Sequence, residues 1–253
     1  MTHLTNWLAR KNQPAPKSTP ENPLPPGEQL DHHLQRLFAL LQINCVLDVG
    51  ANQGQYGRRL RQLGYRGTII SFEPVNSDFQ KLQEQARSDP DWHTHHLALG
   101  DEDDTAVINV TSDSLFNSFL APNDFITGQG LRIEEQETVE VRRLDSIFEQ
   151  CLAAVPQPRL YLKIDTQGYD LKVLAGAVQT LPKILALQSE LSVRPVYQES
   201  PDFLESIAAL TGLGFDITGL FPIARDNALR VIEFDCVMVS RQAAGPSTGV
   251  YPP

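Results

Sequence analysis

An α/β domain with a mostly parallel sheet is the fold class the residue pattern predicts, from three observations. Short apolar runs bounded by turn residues, at 45–49, 68–72 and 160–164, have the length and composition of strands covered on both faces. Between them lie stretches whose apolar residues recur every three or four positions, the period of a helix with one buried face. The two kinds of segment alternate along the chain, which within one domain implies parallel strands joined by right-handed crossovers.

Taken in order, Leu30, Leu34, Leu37, Phe38 and Leu41 share one face of a first helix. Strand 45–49 ends at Gly50, and Tyr56, Leu60 and Leu63 mark a helix after Gly54 that stops at Gly64. Strand 68–72 follows, Phe79, Leu82 and Ala86 stripe another helix, and 95–99 is the expected third strand. Alternation at Val107/Asn109 and Val139/Val141 predicts two short antiparallel strands around residues 111–136. That stretch has no clear element, carries Phe116, Asn117, Ser118, Phe119 and Phe125, and reads as a lid or as a plain insertion. Strand 160–164 leads to a helix through Leu171, Leu174, Val178 and Leu181. Strand 184–187 then runs towards Glu190, a helix covers 203–210, and strands near 215–218 and 231–239 form a hairpin-type pair at one edge. Residues 1–28 hold six of the 18 prolines, and 243–253 are similar, so both are expected to be tails around a single domain, 29–242.

Composition excludes several function classes. Asp plus Glu outnumber Lys plus Arg by 31 to 21, a net charge of −10 that disfavours nucleic acid, and neither a basic stripe nor a base-flipping NPPY motif is present. No apolar run approaches the ~20 residues that span a bilayer. Residues 1–11 lack the apolar centre of a secretory signal, so a cytoplasmic protein is expected. Cys45, Cys151 and Cys236 show no CxxC spacing, suit a reducing compartment and read as small buried hydrophobes.

Chemistry concentrates at strand ends. Asp48-Val49-Gly50-Ala51-Asn52-Gln53-Gly54 runs from a strand into a glycine-rich turn before a helix, where backbone can approach a ligand and helical N–H groups are unpaired. Asn52 stands where a dinucleotide GxGxxG motif needs glycine, and Asp48 would repel a pyrophosphate, which argues against a nicotinamide-dependent oxidoreductase. Asp48 instead suits a ligand with ammonium or hydroxyl groups. Glu73, closing the second strand before Pro74, can accept both ribose hydroxyls or can serve as a surface carboxylate. After the third strand, Gly100 and Asp101 could border an adenine, although Gly-Asp is also an ordinary turn pair.

Together these segments resemble the FkbM-type methyltransferases: VLDVGANQGQYG at 46–57, FEPVNSDFQKL at 72–82, LALGDEDD at 97–104 and LKIDTQGYDLKVLAGA at 162–177. The resemblance implies a Rossmann-like class I methyltransferase fold. Its sheet is mostly parallel and seven-stranded, with helices on both faces and a small β insertion between strands 3 and 4. It implies S-adenosyl-L-methionine as cofactor, with Asp48, Gly50, Asn52 and Gly54 around its methionine part. Glu73 would hold the ribose with Asn76 nearby, and Gly100 and Asp101 would border the adenine. Asp165 would face the methyl group, and the acceptor would be a hydroxyl on a sugar, glycan or secondary metabolite. Gln167 departs from the family's usual Glu, while Asp170 keeps the second acidic position.

Asp165 is the first candidate general base, or else a cap of the turn that follows it. With Glu190 at the adjacent strand end it forms a pair that Mg²⁺ could share. His93, His95 and His96 read as surface or core histidines, because successive strand residues point to opposite faces. His32 and His33 read as a solvated helix face, and Tyr161 and Lys163 as a half-buried strand. A binding protein that retains the pocket without transfer is the competing functional reading.

Overall fold

The computed structural model describes residues 26–244. The expected tails lie outside the described residues at 1–25 and 245–253. Residues 26–28 belong to the first helix, α1 (Pro26–Leu41), so that helix begins before position 29.

A seven-stranded sheet organises the domain. Its strands in chain order are β1 (Cys45–Val49), β2 (Thr68–Phe72), β3 (Trp92–His95), β7 (Leu160–Ile164), β8 (Ile184–Ser192), β9 (Phe215–Arg225) and β10 (Val231–Ser240). They lie in the order β3-β2-β1-β7-β8-β10-β9. Pairing from β3 to β8 is parallel, and β10 is antiparallel to both β8 and β9. A small three-stranded sheet, β4 (Ala98–Leu99), β5 (Asp104–Thr111) and β6 (Ile133–Arg142), is inserted between β3 and β7. This is the mostly parallel Rossmann-like architecture, with its β insertion, that the sequence led us to expect.

Both faces of the sheet are covered, as two apolar clusters show. Cys45, Leu47 and Val49 of β1 pack with Leu144, Ile147 and Phe148 of α5 (Leu144–Cys151) and with Val173 and Leu174 of α6 (Asp170–Ala175). On the opposite face Val46, Ile69 and Tyr161 pack under Leu30, Leu34 and Phe38 of α1, Leu60 of α2 (Gln55–Gln62) and Leu82 of α3 (Asn76–Ala86). Each fully buried leucine contributes about 1.5–3 kcal/mol, so the five-residue central strands are held mainly by these two layers. A short helix α4 (Asp124–Thr127), helix α7 (Phe203–Gly212) and α8 (Arg241–Ala244) complete the described elements.

Three elements depart from the sequence reading. The third strand is Trp92–His95, not 95–99. The Trp92 indole N–H donates to Ser71 Oγ (3.0 Å) and pins that strand to β2, whereas Ala98 and Leu99 are apolar because they pair with β6 in the small sheet. Helix α6 ends at Ala175: Gly176 approaches the backbone of Gly100 so closely that a side chain there would collide, and Val178 is exposed. Helix α5 follows β6 at a segment in which the sequence reading had placed no element.

Candidate active site

The chain turns left from β1 to β2 and right from β7 to β8, so the order of the sheet reverses between β1 and β7. Open α/β sheets bind ligands beyond the carboxyl ends of the strands at such a point. Gly50 and Asp165 are the first residues past those two strands, and Asp165 N–H donates to the Val49 carbonyl (3.0 Å). Gly50 has φ +73°, and a Cβ on it would collide with the Asp165 carbonyl. Only glycine lets the two strand ends approach this way.

A cavity opens there, lined among others by Gly50, Asn52, Glu73, Leu99, Phe119 and Asp165. Glu73 is buried at its wall. Its Oε2 accepts from Asn52 N–H (2.8 Å) and its Oε1 from Val75 N–H (2.9 Å). Burial pushes its carboxyl up to about 8, against the pull of those two amides. Each oxygen keeps a free lone pair, which is the acceptor set a ribose diol requires. The residues present therefore fit a nucleoside cofactor.

The roof of this cavity is the turn Ser114–Phe116 with Asn117. Asn52 Nδ2 donates to Ser114 O (2.8 Å), and Gln53 and Asn117 both donate to buried Asp78 (2.9 and 3.1 Å). On the other side Ser118 Oγ donates to Gln167 O (2.8 Å), and Tyr197 OH lies 2.9 Å from Gln167 Oε1 and 3.1 Å from Phe116 O. With the roof in place the cavity holds about 70 Å³, well below the roughly 300–1,000 Å³ of ligand pockets.

Beyond Asp165 lies a second, polar cavity of about 210 Å³, walled by Gln55, Arg59, Lys163, Gln188, Glu190 and Asp235. Asp165 lines both cavities. Lys163 Nζ donates to its Oδ2 (3.0 Å) and Gln167 Nε2 to its Oδ1 (2.8 Å), while the same Gln167 amide reaches Glu190 Oε2 (2.9 Å). Burial pushes the Asp165 carboxyl up, but the Lys163 ammonium and these hydrogen bonds outweigh it and hold the group below the usual carboxylate range. Burial and the Asp165 charge push Glu190 the other way, well above that range.

The expected site residues thus divide. Gly50, Asn52, Glu73 and Asp165 come together at the first cavity, and Glu190 borders the second. Asp48 is fully buried one layer below, accepting from Ser71 Oγ (3.0 Å), so it supports the floor and lines neither cavity. Gly54 has φ +84° and opens α2 under Trp92 and Leu82. Asn76 is exposed with its N–H on Glu137, and Asp101 pairs with Lys172 (2.7 Å). Gly100 packs against Val141. The short β4 delivers Ala98 and Leu99 to the cavity and carries Gly100 and Asp101 past its lining.

Mg²⁺ does not fit. The Lys163 ammonium, 3.0 Å from Asp165 Oδ2, already fills the place of a cation beside that carboxylate, and among the described residues no group of three or more His, Cys, Asp or Glu side chains is arranged to hold a metal. His95 stacks on Phe72, His96 stacks on Phe79, and His33 meets Thr218 Oγ1 (2.9 Å), so these three are held by packing and hydrogen bonding away from the cavities.

Sequence reasoning missed Lys163 and Tyr161, read as half-buried and in fact buried, together with Gln188, Asp78 and Tyr197. A signal existed for Lys163. It is the fourth residue of a five-residue apolar strand, as Asp48 is of β1, and the register sets the two side by side.

A model of the FkbM methyltransferase domain matches residues 48–217. The chain belongs to the FkbM methyltransferase family. Membership of that family argues against the oxidoreductase alternative. A curated relative, the 2-O-methyltransferase NoeI of Sinorhizobium fredii (strain NBRC 101917 / NGR234), is 27% identical over 161 residues, 60% of this chain. The match spans 65% of that relative's length. Among solved structures, fibrillarin of Aeropyrum pernix with natively bound S-adenosyl-L-methionine aligns with TM-score 0.45 and 12% identity, over 84% of this chain and 74% of that one. Magnesium protoporphyrin IX methyltransferase of Synechocystis PCC 6803 aligns at 0.45 and 10%, over 85% and 80%. Among the described residues no helix is long and apolar enough to cross a membrane.

Proposed function

We propose that this FkbM-family protein methylates a hydroxyl oxygen of a sugar, glycan or related secondary metabolite, with Asp165 as general base. The observation that carries the reading is the placement of Asp165, a carboxylate held in its ionised form, on the wall shared by the two cavities. The name of the relative NoeI, a 2-O-methyltransferase, supports oxygen as the accepting atom.

Bound in the first cavity, S-adenosylmethionine supplies a methyl group on a sulfonium, an already good leaving group. Glu73 accepts the ribose hydroxyls and so fixes the cofactor's long axis. Gly50 offers backbone without bulk beside its amino-acid part, and Asn52 borders it while tied to Glu73 and Ser114. Asp165 accepts the acceptor's hydroxyl proton as that oxygen attacks, an effect of about 10²- to 10⁴-fold. Holding the groups in line supplies ~7–11 kcal/mol of the barrier. The roof latched by Asn52, Asp78, Gln167 and Tyr197 acts as the lid, and it lifts to admit ligands larger than the closed cavity.

Calorimetric titration with S-adenosylmethionine and S-adenosylhomocysteine, with NAD as counter-ligand, tests the cofactor. Micromolar binding of the sulfur ligands alone is expected. Incubation with methyl-labelled cofactor and a panel of free and glycosidic sugars tests the acceptor, and label recovered on nitrogen or carbon instead of oxygen would overturn the O-methyl reading.

A further inference from the structure

We propose that Lys163 is a positioning residue of this site: its buried ammonium holds Asp165 ionised and aimed at the junction of the two cavities, the task a divalent cation would otherwise perform. The inference rests on the transferase reading above, in which Asp165 takes the hydroxyl proton.

The first ground is the cost of the arrangement. Lys163 lies in the middle of the sheet, directly across from Asp48 on β1 and Gln188 on β8, with its ammonium 5.3 Å from the centre of the Tyr56 ring. Burying an ion pair there is no better for stability than well-packed apolar residues of similar volume. The flanking positions of the same strand, Leu162 and Ile164, are apolar and fully buried. Stability alone therefore does not account for a lysine.

The second ground is which partner the ammonium prefers. Asp48 is the deeper carboxylate, yet Lys163 Nζ sits 3.8 Å from its Oδ1 and 3.0 Å from Asp165 Oδ2. Oδ1 of Asp48 is left with no hydrogen bond, while its Oδ2 is tied through Ser71 to Trp92. The single good hydrogen bond goes to the residue that faces the cavities. Asp48 stands behind the ammonium, its carboxyl pushed up by burial against the pull of Lys163.

The third ground is the company Asp165 keeps. Asp48 faces it from β1, Glu190 from β8, Glu233 and Asp235 from β10, and Asp170 from α6. Tyr56 of α2 and Tyr197 close the surroundings, and Arg59 of α2 acts on Asp235. Among the described residues Lys163 is the cation that forms an ion pair with Asp165. Without it the surrounding carboxylates and the burial favour the protonated acid, which accepts no proton, and Arg59 and the Gln167 amide are left to oppose them.

The test needs no acceptor. In protein labelled with ¹³C at aspartate carboxyls, and with Asp165→Asn to assign the signal, Asp165 titrates by NMR in wild type, Lys163→Met and Lys163→Arg. Wild type is expected to titrate below the free-aspartate range. Lys163→Met should raise the midpoint by more than about one pH unit, the scale of losing an adjacent opposite charge, and Lys163→Arg should restore most of the depression. Should Lys163→Met fail to fold, the double variant Asp48→Asn/Lys163→Met removes both buried charges and serves the same comparison. A midpoint unchanged from wild type in the folded variant overturns the proposal. S-adenosylhomocysteine titration of wild type separates the two readings: absence of binding removes the transferase reading and leaves the Lys163–Asp165 coupling to be judged by NMR.

Discussion

Glu73 and Asp165 each stand one residue past a strand of the same sheet, and their surroundings drive them in opposite directions. On the β1–β2 side, Glu73 meets only backbone amides, from Asn52 and Val75, and burial wins: its carboxyl rises to about 8. On the β7–β8 side, Asp165 meets the full charge of Lys163, and the cation wins over burial. The difference teaches that partial charges on two N–H groups do not offset the desolvation of a buried carboxylate, whereas a close ammonium with the Gln167 amide does for one whose side chain keeps 34% of its surface exposed. It also fits a division of labour. Glu73 waits for hydroxyl donors of a ligand, while Asp165 stays ready to accept a proton.

The sharpest way to break this comparison is Asp165→Asn. Turnover should fall by about 10²- to 10⁴-fold with S-adenosylhomocysteine affinity unchanged, as read by single-turnover assay and calorimetry. A parallel loss of affinity would mean both acids serve the cofactor. Gly50→Ala should come next, destabilising by about 2–5 kcal/mol, because positive φ and a collision with the Asp165 carbonyl act together. Chemical denaturation measures it.

Glu73→Gln should weaken S-adenosylhomocysteine binding by roughly 10-fold, because an amide nitrogen replaces one of the two oxygens that accept from Asn52 and Val75 N–H and face the ribose. It should also change the pH dependence of stability. In the folded apo protein Glu73 keeps its proton up to about 8, while in the unfolded chain it releases it near the ordinary glutamate value of 4.5. Between those values the folded state binds more protons, so this group's contribution is full below pH 4.5 and is lost as pH rises to about 8. Denaturation curves across that window should show a component of decline that Glu73→Gln removes.

The smallest effects should come from Asn76→Ala and Asp101→Asn, which lie off the cavities. Each should leave cofactor affinity intact and move stability by about 0.5–1 kcal/mol or less, as exposed pairs do. A large affinity loss from either would place the cofactor elsewhere.

The local code was legible where it acts over a few residues. Strands β1 and β2 occupy the expected positions, because short apolar runs closed by Gly50 and by Glu73-Pro74 admit no other element. The glycine turn was readable because Gly50 and Gly54 take positive φ, and Glu73 because it closes an apolar run before Pro74, whereas Asn52 and Gln167 take positive φ with no such signal. The third strand was misplaced because apolar character at 97–99 served a different sheet, a fact carried by Val141 and Arg142 of β6.

What the sequence by itself determined about this protein was its alternating strands and helices, the glycine corner and the acids that end strands. Which of those acids reach the cavities, and in which charge state, only the tertiary structure decided. The reason is range. Dihedral preference and hydrophobic period are properties of neighbours along the chain, whereas the partnership of Asp48, Lys163 and Asp165 depends on strands distant in sequence meeting in one register. Charge interactions are strong only within a few ångströms in a buried site, so that register sets the chemistry.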